Sequence, residues 1–214
     1  MKTQFLSYRH ILMYGVLCIG QTTVFGAQNL LINGDFENPV VPPYTTLNVG
    51  DQIPGWTVVG AGDVHLVNQP SPLWPGNPSQ FMDLTGYTGG AGIQSDAFPT
   101  IIGRSYQVAW DTFNGSLTFP GAYNGVAFTL QATGNAVSSY SVPAGFGESL
   151  VYDFVAASTT TTLTFMDASG YDSNAGWIDN VTVEAVPEPT AFILLAGIGL
   201  CSSCWCSHFP RQRI

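Results

Sequence analysis

Residues 105–113 read Ser-Tyr-Gln-Val-Ala-Trp-Asp-Thr-Phe, a stretch in which apolar and polar side chains alternate. Successive side chains of a β-strand point to opposite faces of the sheet, so Tyr106, Val108 and Trp110 would share one face. Residues 161–165, Thr-Thr-Leu-Thr-Phe, repeat the alternation. A period of two over such a length predicts strands with one buried face and one face in water.

The same kind of pattern fills the chain from residue 28 to residue 185. Short runs rich in Val, Ile, Thr, Phe and Tyr alternate with Gly, Pro, Asn and Ser, and no segment shows a sustained helical period. This predicts an all-β domain folded as a two-sheet antiparallel jelly-roll sandwich. Strands are predicted near residues 30–32, 57–59, 64–67, 80–84, 92–97, 105–113, 126–132, 138–142, 149–155, 161–167 and 177–185.

Residues 1–27 are predicted to be a secretory signal peptide. Lys2 and Arg9 form a basic start, and the apolar run at residues 11–19 is too short to span a bilayer. Cleavage after Gly26 would place small side chains at the positions that signal peptidases recognise. We therefore expect the domain that follows to be exported.

Residues 186–214 have the composition of a membrane-anchored tail. Residues 191–209 contain no Asp, Glu, Lys or Arg, and Arg211 and Arg213 follow them. As a helix, these residues would reach roughly 28 Å, close to the bilayer core of about 30 Å, with the arginines at the cytoplasmic face. A buried C-terminal core helix is the alternative.

Charge and cysteine content distinguish the domain from its two ends. All four cysteines lie outside residues 28–185, so the exported domain cannot rely on disulfides. This domain carries thirteen acidic side chains against the single basic Arg104, a net charge of −12. A nucleic-acid partner would need a basic face and is therefore excluded. The same charge suits an extracellular protein that binds a divalent cation.

The tail resembles the PEP-CTERM sorting tail of Gram-negative bacteria. The resemblance rests on Pro187-Glu188-Pro189, placed directly before an apolar helix with a basic end. It implies recognition near this motif by an exosortase, a membrane protease-transpeptidase. The helix would then anchor the protein only transiently in the inner membrane before the body passes to the cell surface or the exopolysaccharide matrix.

The body, residues 28–185, resembles the choice-of-anchor C family of bacterial surface proteins, which is related to galactose-binding-like carbohydrate modules. The resemblance implies a galactose-binding-like jelly roll, but no known ligand, because a fold does not fix a function. The motifs that carry it are residues 29–37 (NLLINGDFE), 53–56 (IPGW), 81–86 (FMDLTG), 90–94 (GAGIQ), 103–106 (GRSY) and 177–183 (WIDNVTV).

The same resemblance implies a structural calcium ion that joins the two ends of the body. In galactose-binding-like modules the first and last strands share such a site, and Glu37 and Asp179 are the matching carboxylates. Calcium takes six to eight oxygen ligands, so the surroundings of Asp35 and loop residues such as Asn48 would complete it. The alternative is that Glu37 caps a turn and Asp179 faces solvent.

Aromatic residues suggest where a ligand could bind. Trp56, Trp110 and Trp177 are predicted core residues. Trp74 lies in the proline-rich segment 69–78, where it could stack on a sugar ring or pack over a sheet edge.

The candidate functions follow from these residues. The exported domain contains a single histidine, His65, which gives nucleophilic catalysis little support. A non-catalytic surface or matrix protein that binds extracellular polysaccharide is the first hypothesis. A purely structural surface protein is the alternative, and a glycoside hydrolase with two carboxylates is less favoured.

Overall fold

The computed structural model describes residues 28–68, 79–114, 126–143, 147–169 and 176–187. None of these ranges forms a helix that could span a bilayer. The predicted signal peptide and the predicted tail helix lie outside them. In chain order, the strands are β1 (Tyr44–Asn48), β2 (Gln52–Ile53), β3 (Trp56–Gly60), β4 (Asp63–Val67), β5 (Phe81–Asp83), β6 (Ala91–Ser95), β7 (Phe98–Pro99), β8 (Ser105–Asn114), β9 (Val126–Ala132), β10 (Ser138–Val142), β11 (Gly147–Val155), β12 (Thr160–Thr161), β13 (Leu163–Asp167) and β14 (Gly176–Ala185).

These strands form two large sheets and a small third one. Sheet 1 has the strand order β1-β4-β5-β14-β8-β11, and sheet 2 has the order β10-β9-β13-β6-β3-β2. Every strand pairing is antiparallel, and the chain passes repeatedly from one sheet to the other, as between β8 and β9 and between β13 and β14. The predicted two-sheet antiparallel jelly-roll sandwich is confirmed.

The core lies between the two sheets and is rich in aromatic side chains. Tyr106, Val108 and Trp110 are all buried on one face of β8, as the alternation predicts. The Trp110 ring meets Phe128 of sheet 2 at a centroid distance of 6.1 Å and Phe165 at 5.6 Å, both nearly edge-on. Each buried aromatic removes about 150–250 Å² from water, so these contacts account for much of the hydrophobic stabilisation.

Some predicted strands are wrong or missing. Residues 30–32 do not form a strand, because Asn29 Oδ1 accepts hydrogen bonds from Leu31 N (3.1 Å) and Val183 N (2.9 Å) and so replaces a backbone partner. Strands β1, β2 and β7 were not predicted. Two of these contain only two residues each, and β1 lies between proline and glycine residues that indicate a loop.

The segment after Asn29 turns sharply against β14. Asn33 and Phe36 both adopt a positive φ of 53°, and Phe36 is fully buried. A Cβ atom on Gly34 would lie 2.0 Å from the carbonyl oxygen of Val181. Gly34 is therefore required by the close approach of β14.

The three signature tryptophans do not share one environment. Trp56 and Trp110 are buried in the core, as predicted. Trp177 is instead half-buried on the outer face of sheet 1, where its ring packs on Phe81 at a centroid distance of 4.6 Å. The core prediction is wrong for Trp177. This residue pairs with Asp83 of β5, and both side chains lie on the face of sheet 1 that is turned away from sheet 2.

Candidate functional site

In the structure, the two predicted calcium carboxylates contact consecutive residues of the chain. Glu37 Oε1 accepts a hydrogen bond of 2.8 Å from the backbone of Gln80, and Asp179 Oδ2 accepts one of 3.0 Å from Ser79 Oγ. Asp179 is fully buried, so it does not face solvent. Among the described residues, no three His, Cys, Asp or Glu side chains are grouped around a metal position. A calcium ion there would need main-chain oxygens in addition to Glu37 and Asp179.

Asn48 does not join these carboxylates. It pairs with Asp63 at the C-terminal end of β1. The other end of β1 is the one close to Asp179: Tyr44 pairs with Val67, Val67 pairs with Phe81, and Phe81 lies beside Asp179. A strand rises about 3.3 Å per residue, so Asn48 lies roughly 13 Å along the strand from that level. The strand register therefore separates Asn48 from the proposed metal ligands.

Asp35 is exposed, and none of the hydrogen bonds described for Glu37 and Asp179 involves it. It lines a cleft of about 270 Å³ together with Asn29, Asn180 and Thr182. Trp74, Glu188 and Pro189 lie outside the described residues, and Pro187 is exposed at their C-terminal limit. The sugar-stacking role of Trp74 and the sorting role of the Pro187-Glu188-Pro189 motif stay predictions.

Five side chains gather on the outer face of sheet 1, and we call them the His65 cluster: Asp63, His65, Asp83, Tyr44 and Tyr87. His65 Nε2 lies 3.5 Å from Asp63 Oδ2, and His65 Nδ1 lies 4.0 Å from Asp83 Oδ2. The Tyr44 and Tyr87 rings pack against the imidazole at 5.4 and 4.4 Å. Their hydroxyl groups are 2.9 Å apart, so the two tyrosines cover the histidine.

Local hydrogen bonds occupy the two carboxylates of this cluster. Asp63 accepts hydrogen bonds from Tyr87 N and Thr88 N, both at 3.0 Å, and from Thr88 Oγ1. Burial acts to raise the pKa of Asp63, but these hydrogen bonds outweigh it and the pKa is lowered. Burial raises the pKa of Asp83, although Thr85 N (3.0 Å) and Thr85 Oγ1 (2.7 Å) donate to it. The cluster thus fixes the loop that carries Tyr87.

A row of amide and hydroxyl side chains crosses the outer face of sheet 2, and we call it the Gln–Thr row. The strand register aligns its members in the order Gln52, Thr57, Gln94, Thr164 and Gln131. Neighbouring strands lie about 4.8 Å apart, so the row extends roughly 19 Å. Gln94 Nε2 donates a hydrogen bond of 3.0 Å to Thr164 Oγ1, which links two of its central members.

A second, less polar row runs beside the Gln–Thr row. One of its members is Gly92, where a Cβ atom would lie 2.0 Å from the Phe165 carbonyl oxygen, so the face has no side chain there. Among the described strands of sheet 2, no outward-facing side chain carries a formal charge. The members of the second row, in register order, are Val59, Gly92, Met166, Thr129 and Ser139.

Sequence reasoning missed both the His65 cluster and the Gln–Thr row. The alternation of Thr and Gln with apolar residues was visible in single strands, but the order of strands in sheet 2 was not, and only that order makes a row. Tyr44 and Tyr87 lie in segments that the sequence indicated as loops. The contact of Tyr44 with His65 depends on the pairing of β1 with β4, and the contact of Tyr87 depends on the hydrogen bonds of its loop to Asp63.

The chain matches no protein-family model and no curated protein. Its fold is similar to tailspike protein 4 of bacteriophage CBA120, at 15% identity over 74% of this chain and 21% of that chain, with a TM-score of 0.44. An arabinose-bound α-L-arabinofuranosidase is similar at 12% identity over 74% of this chain and 26% of that chain, with a TM-score of 0.48.

The chain spans about a quarter of the length of these two structures. A family 35 carbohydrate-binding module from Clostridium thermocellum is similar at 15% identity over 66% of this chain and 98% of that module, with a TM-score of 0.43. Likenesses of this size do not decide what this chain binds.

Proposed function

We propose that this chain is an exported, non-catalytic protein that binds neutral polysaccharide on the outer face of sheet 2. The observation that carries the proposal is the Gln–Thr row, a line of uncharged donors and acceptors that crosses neighbouring strands. Amide and hydroxyl groups form hydrogen bonds in both directions, which is what the hydroxyl groups of a sugar require. A row of roughly 19 Å suits an extended polymer better than a small ligand.

The neighbouring row supports the same ligand class. A sugar ring presents hydroxyl groups at its edge and C–H groups on its faces. Val59 and Met166 offer apolar surface beside the Gln–Thr row, on either side of the buried Gly92. A glycan chain along the row could therefore direct its hydroxyl groups to the amides and its C–H groups to this apolar strip.

The negative charge of the body favours neutral over acidic polysaccharides as ligands. The body carries a net charge of −12, and the outward-facing side chains of the described strands of sheet 2 add neither sign to the surface. A uronic-acid polymer would be repelled by the body as a whole, whereas a neutral polymer would not. The repulsion is long-range and is screened by salt.

Affinity measurements on a panel of polysaccharides test this function. The full chain should bind at least one neutral polymer. Measured at test concentrations of about 20 and about 500 mM salt, its affinity for that polymer should change little. Acidic polymers should bind weakly at low salt. Failure to bind any neutral polymer would favour the alternative, a purely structural surface protein.

Export and tail processing belong to the same proposal. The features that support them are the signal-like start, the Pro187-Glu188-Pro189 motif and the uncharged run at residues 191–209. An exosortase would cut near the motif and leave the body at the cell surface or in the extracellular matrix of a Gram-negative bacterium. Mass spectrometry of the mature protein should then find no peptide beyond residue 191. An intact C-terminus in a host that has the enzyme would contradict the proposal.

Calcium is proposed as a structural ion. Glu37 and Asp179 support it, because they come from opposite ends of the body and contact the consecutive residues Ser79 and Gln80. An ion bound by both carboxylates would stabilise the contact between the N-terminal segment and β14.

Trp74 remains a candidate sugar platform in the segment that joins β4 to β5.

A further inference from the structure

Both ends of the body leave the sandwich on the same side. The last strand, β14, ends where Ala185 pairs with Tyr106, and Val186 N donates a hydrogen bond of 3.0 Å to Ser105 O. At the N-terminus, Leu30 N donates to Val183 O at 3.0 Å. We call this side, around the start of β8, the basal end.

The basal end exposes apolar side chains. Ile101 and Ile102, in the turn before β8, are 60% and 63% exposed. Val155 pairs with Ser105 on one side of β8, and Val186 lies beside Ser105 on the other, and both are also exposed. A contiguous exposed apolar patch on a soluble domain marks a surface that contacts another phase or partner.

The basal end also holds the only basic residue of the body, Arg104. Its buried Nε atom has no hydrogen-bond partner among the described residues, and the ion pairs found in those ranges belong to His65. The nearest acidic residues on this side are Asp153 and Glu184, which pair with Gln107 from the two strands beside β8. Gln107 follows Ser105 by two residues, so this pair lies about 7 Å further from the basal end. The patch therefore combines apolar side chains with a positive charge that no carboxylate of the described residues pairs with.

The position of the tail identifies what covers this patch. Only residues 186–190 separate β14 from the uncharged run at 191–209. Five extended residues span at most about 17 Å, so a tail inserted in a bilayer keeps the basal end within that distance of the lipid headgroups.

We infer that, before the tail is removed, the basal end rests on an anionic lipid bilayer through Ile101, Ile102 and Arg104. This rests on the tail anchor in the proposed function and does not depend on glycan binding. The isoleucines enter the headgroup region, and Arg104 meets lipid phosphates. Contact elsewhere on the acidic body would be repelled by the same lipids.

This orientation has two consequences for the rest of the molecule. The strands stand away from the membrane, so the Gln–Thr row on the outer face of sheet 2 remains accessible to polymer outside the bilayer. Pro187 lies between the patch and the tail, so the sorting motif is held at the membrane surface, within reach of a membrane-embedded enzyme.

The test places a nitroxide spin label at either end of the full chain. All native cysteines are replaced by alanine, and the label is attached through Ile102→Cys or, as the matched control at the opposite end, through Val49→Cys, an exposed residue beyond Asn48. The protein is reconstituted in vesicles of phosphatidylethanolamine and phosphatidylglycerol. Flotation tests the anchor, and relaxation by water-soluble or lipid-attached nickel tests the orientation.

On reconstitution into vesicles, the label at residue 102 should lose at least about half of its relaxation by water-soluble nickel and should gain relaxation by the nickel lipid. The label at residue 49 should show neither change. In this background, Arg104→Gln should weaken the lipid contact by about fivefold, the effect of one basic residue at an anionic surface. Flotation with equal accessibility at both positions would overturn the orientation and leave the anchor intact. A chain that does not float would overturn both. An unchanged contact after Arg104→Gln would overturn the role of that residue.

Discussion

On the outer face of sheet 1, Asp63, His65 and Asp83 lie beneath two tyrosines, whereas the outer face of sheet 2 displays glutamine and threonine side chains in a row. The two faces belong to sheets that pack on the same core. They differ in where their polar groups find partners. Asp63 is 5% exposed and accepts hydrogen bonds from a neighbouring loop, whereas Gln52 and Gln131 are exposed.

This difference separates polar groups that stabilise the fold from polar groups that are available to a ligand. A buried carboxylate must keep its partners, because an unsatisfied charged group costs a large part of the stability of a domain. An exposed amide exchanges water for a sugar hydroxyl at little cost. We therefore expect substitutions on the face of sheet 1 to change stability and substitutions on the face of sheet 2 to change binding.

The largest expected effect is on the face of sheet 1. Asp63→Ala removes the acceptor for Tyr87 N and Thr88 N, so it should lower the free energy of unfolding by about 2–4 kcal/mol. The control Gln52→Ala, on the face of sheet 2, should change it by less than about 0.5 kcal/mol. Urea unfolding of both variants measures the difference. Equal effects would remove the distinction between the two faces.

The proposed calcium ion gives the next largest effect. An ion that binds only the folded chain should stabilise it by about 2.7 kcal/mol at a hundredfold excess over its Kd. Thermal unfolding with calcium and with chelator should therefore differ by several degrees. Asp179→Ala and the milder Glu37→Gln should both reduce this difference, and Asp96→Ala, at an exposed site, should not. Identical unfolding curves with and without calcium would contradict the site.

The pH dependence of stability sharpens the comparison further. Burial raises the pKa of Asp83 in the folded state, so its contribution is fully favourable below the unfolded pKa near 3.9 and is lost as the pH rises through the folded pKa. Asp83→Asn removes the buried charge and should raise the Tm at pH 7, with little change at pH 3. A Tm that falls equally at both pH values would show that Asp83 acts only through its hydrogen bonds to Thr85.

The sequence was sufficient for the architecture, because the period of two in β8 and β13 is set by which side chains must be buried. It also paired Glu37 with Asp179, through a resemblance, and the structure brings both to Ser79 and Gln80. Asn48 was misplaced, because its position depends on the register of β1, a strand that no local pattern indicated. The Gln–Thr row was missed for a related reason: strands distant in sequence become neighbours only when the sheet forms.

The central claim is that the outer face of sheet 2 binds neutral polysaccharide, and one pair of variants tests it most directly. Gln94→Ala removes a central member of the Gln–Thr row, and Gln107→Ala removes an exposed glutamine from the outer face of sheet 1. The affinity of the full chain for a neutral polymer is measured by calorimetry for both. We predict about a fivefold loss for Gln94→Ala, equivalent to about 1 kcal/mol for one hydrogen bond, and no loss for Gln107→Ala. A loss for Gln107→Ala with none for Gln94→Ala would contradict the account and place the binding surface on sheet 1.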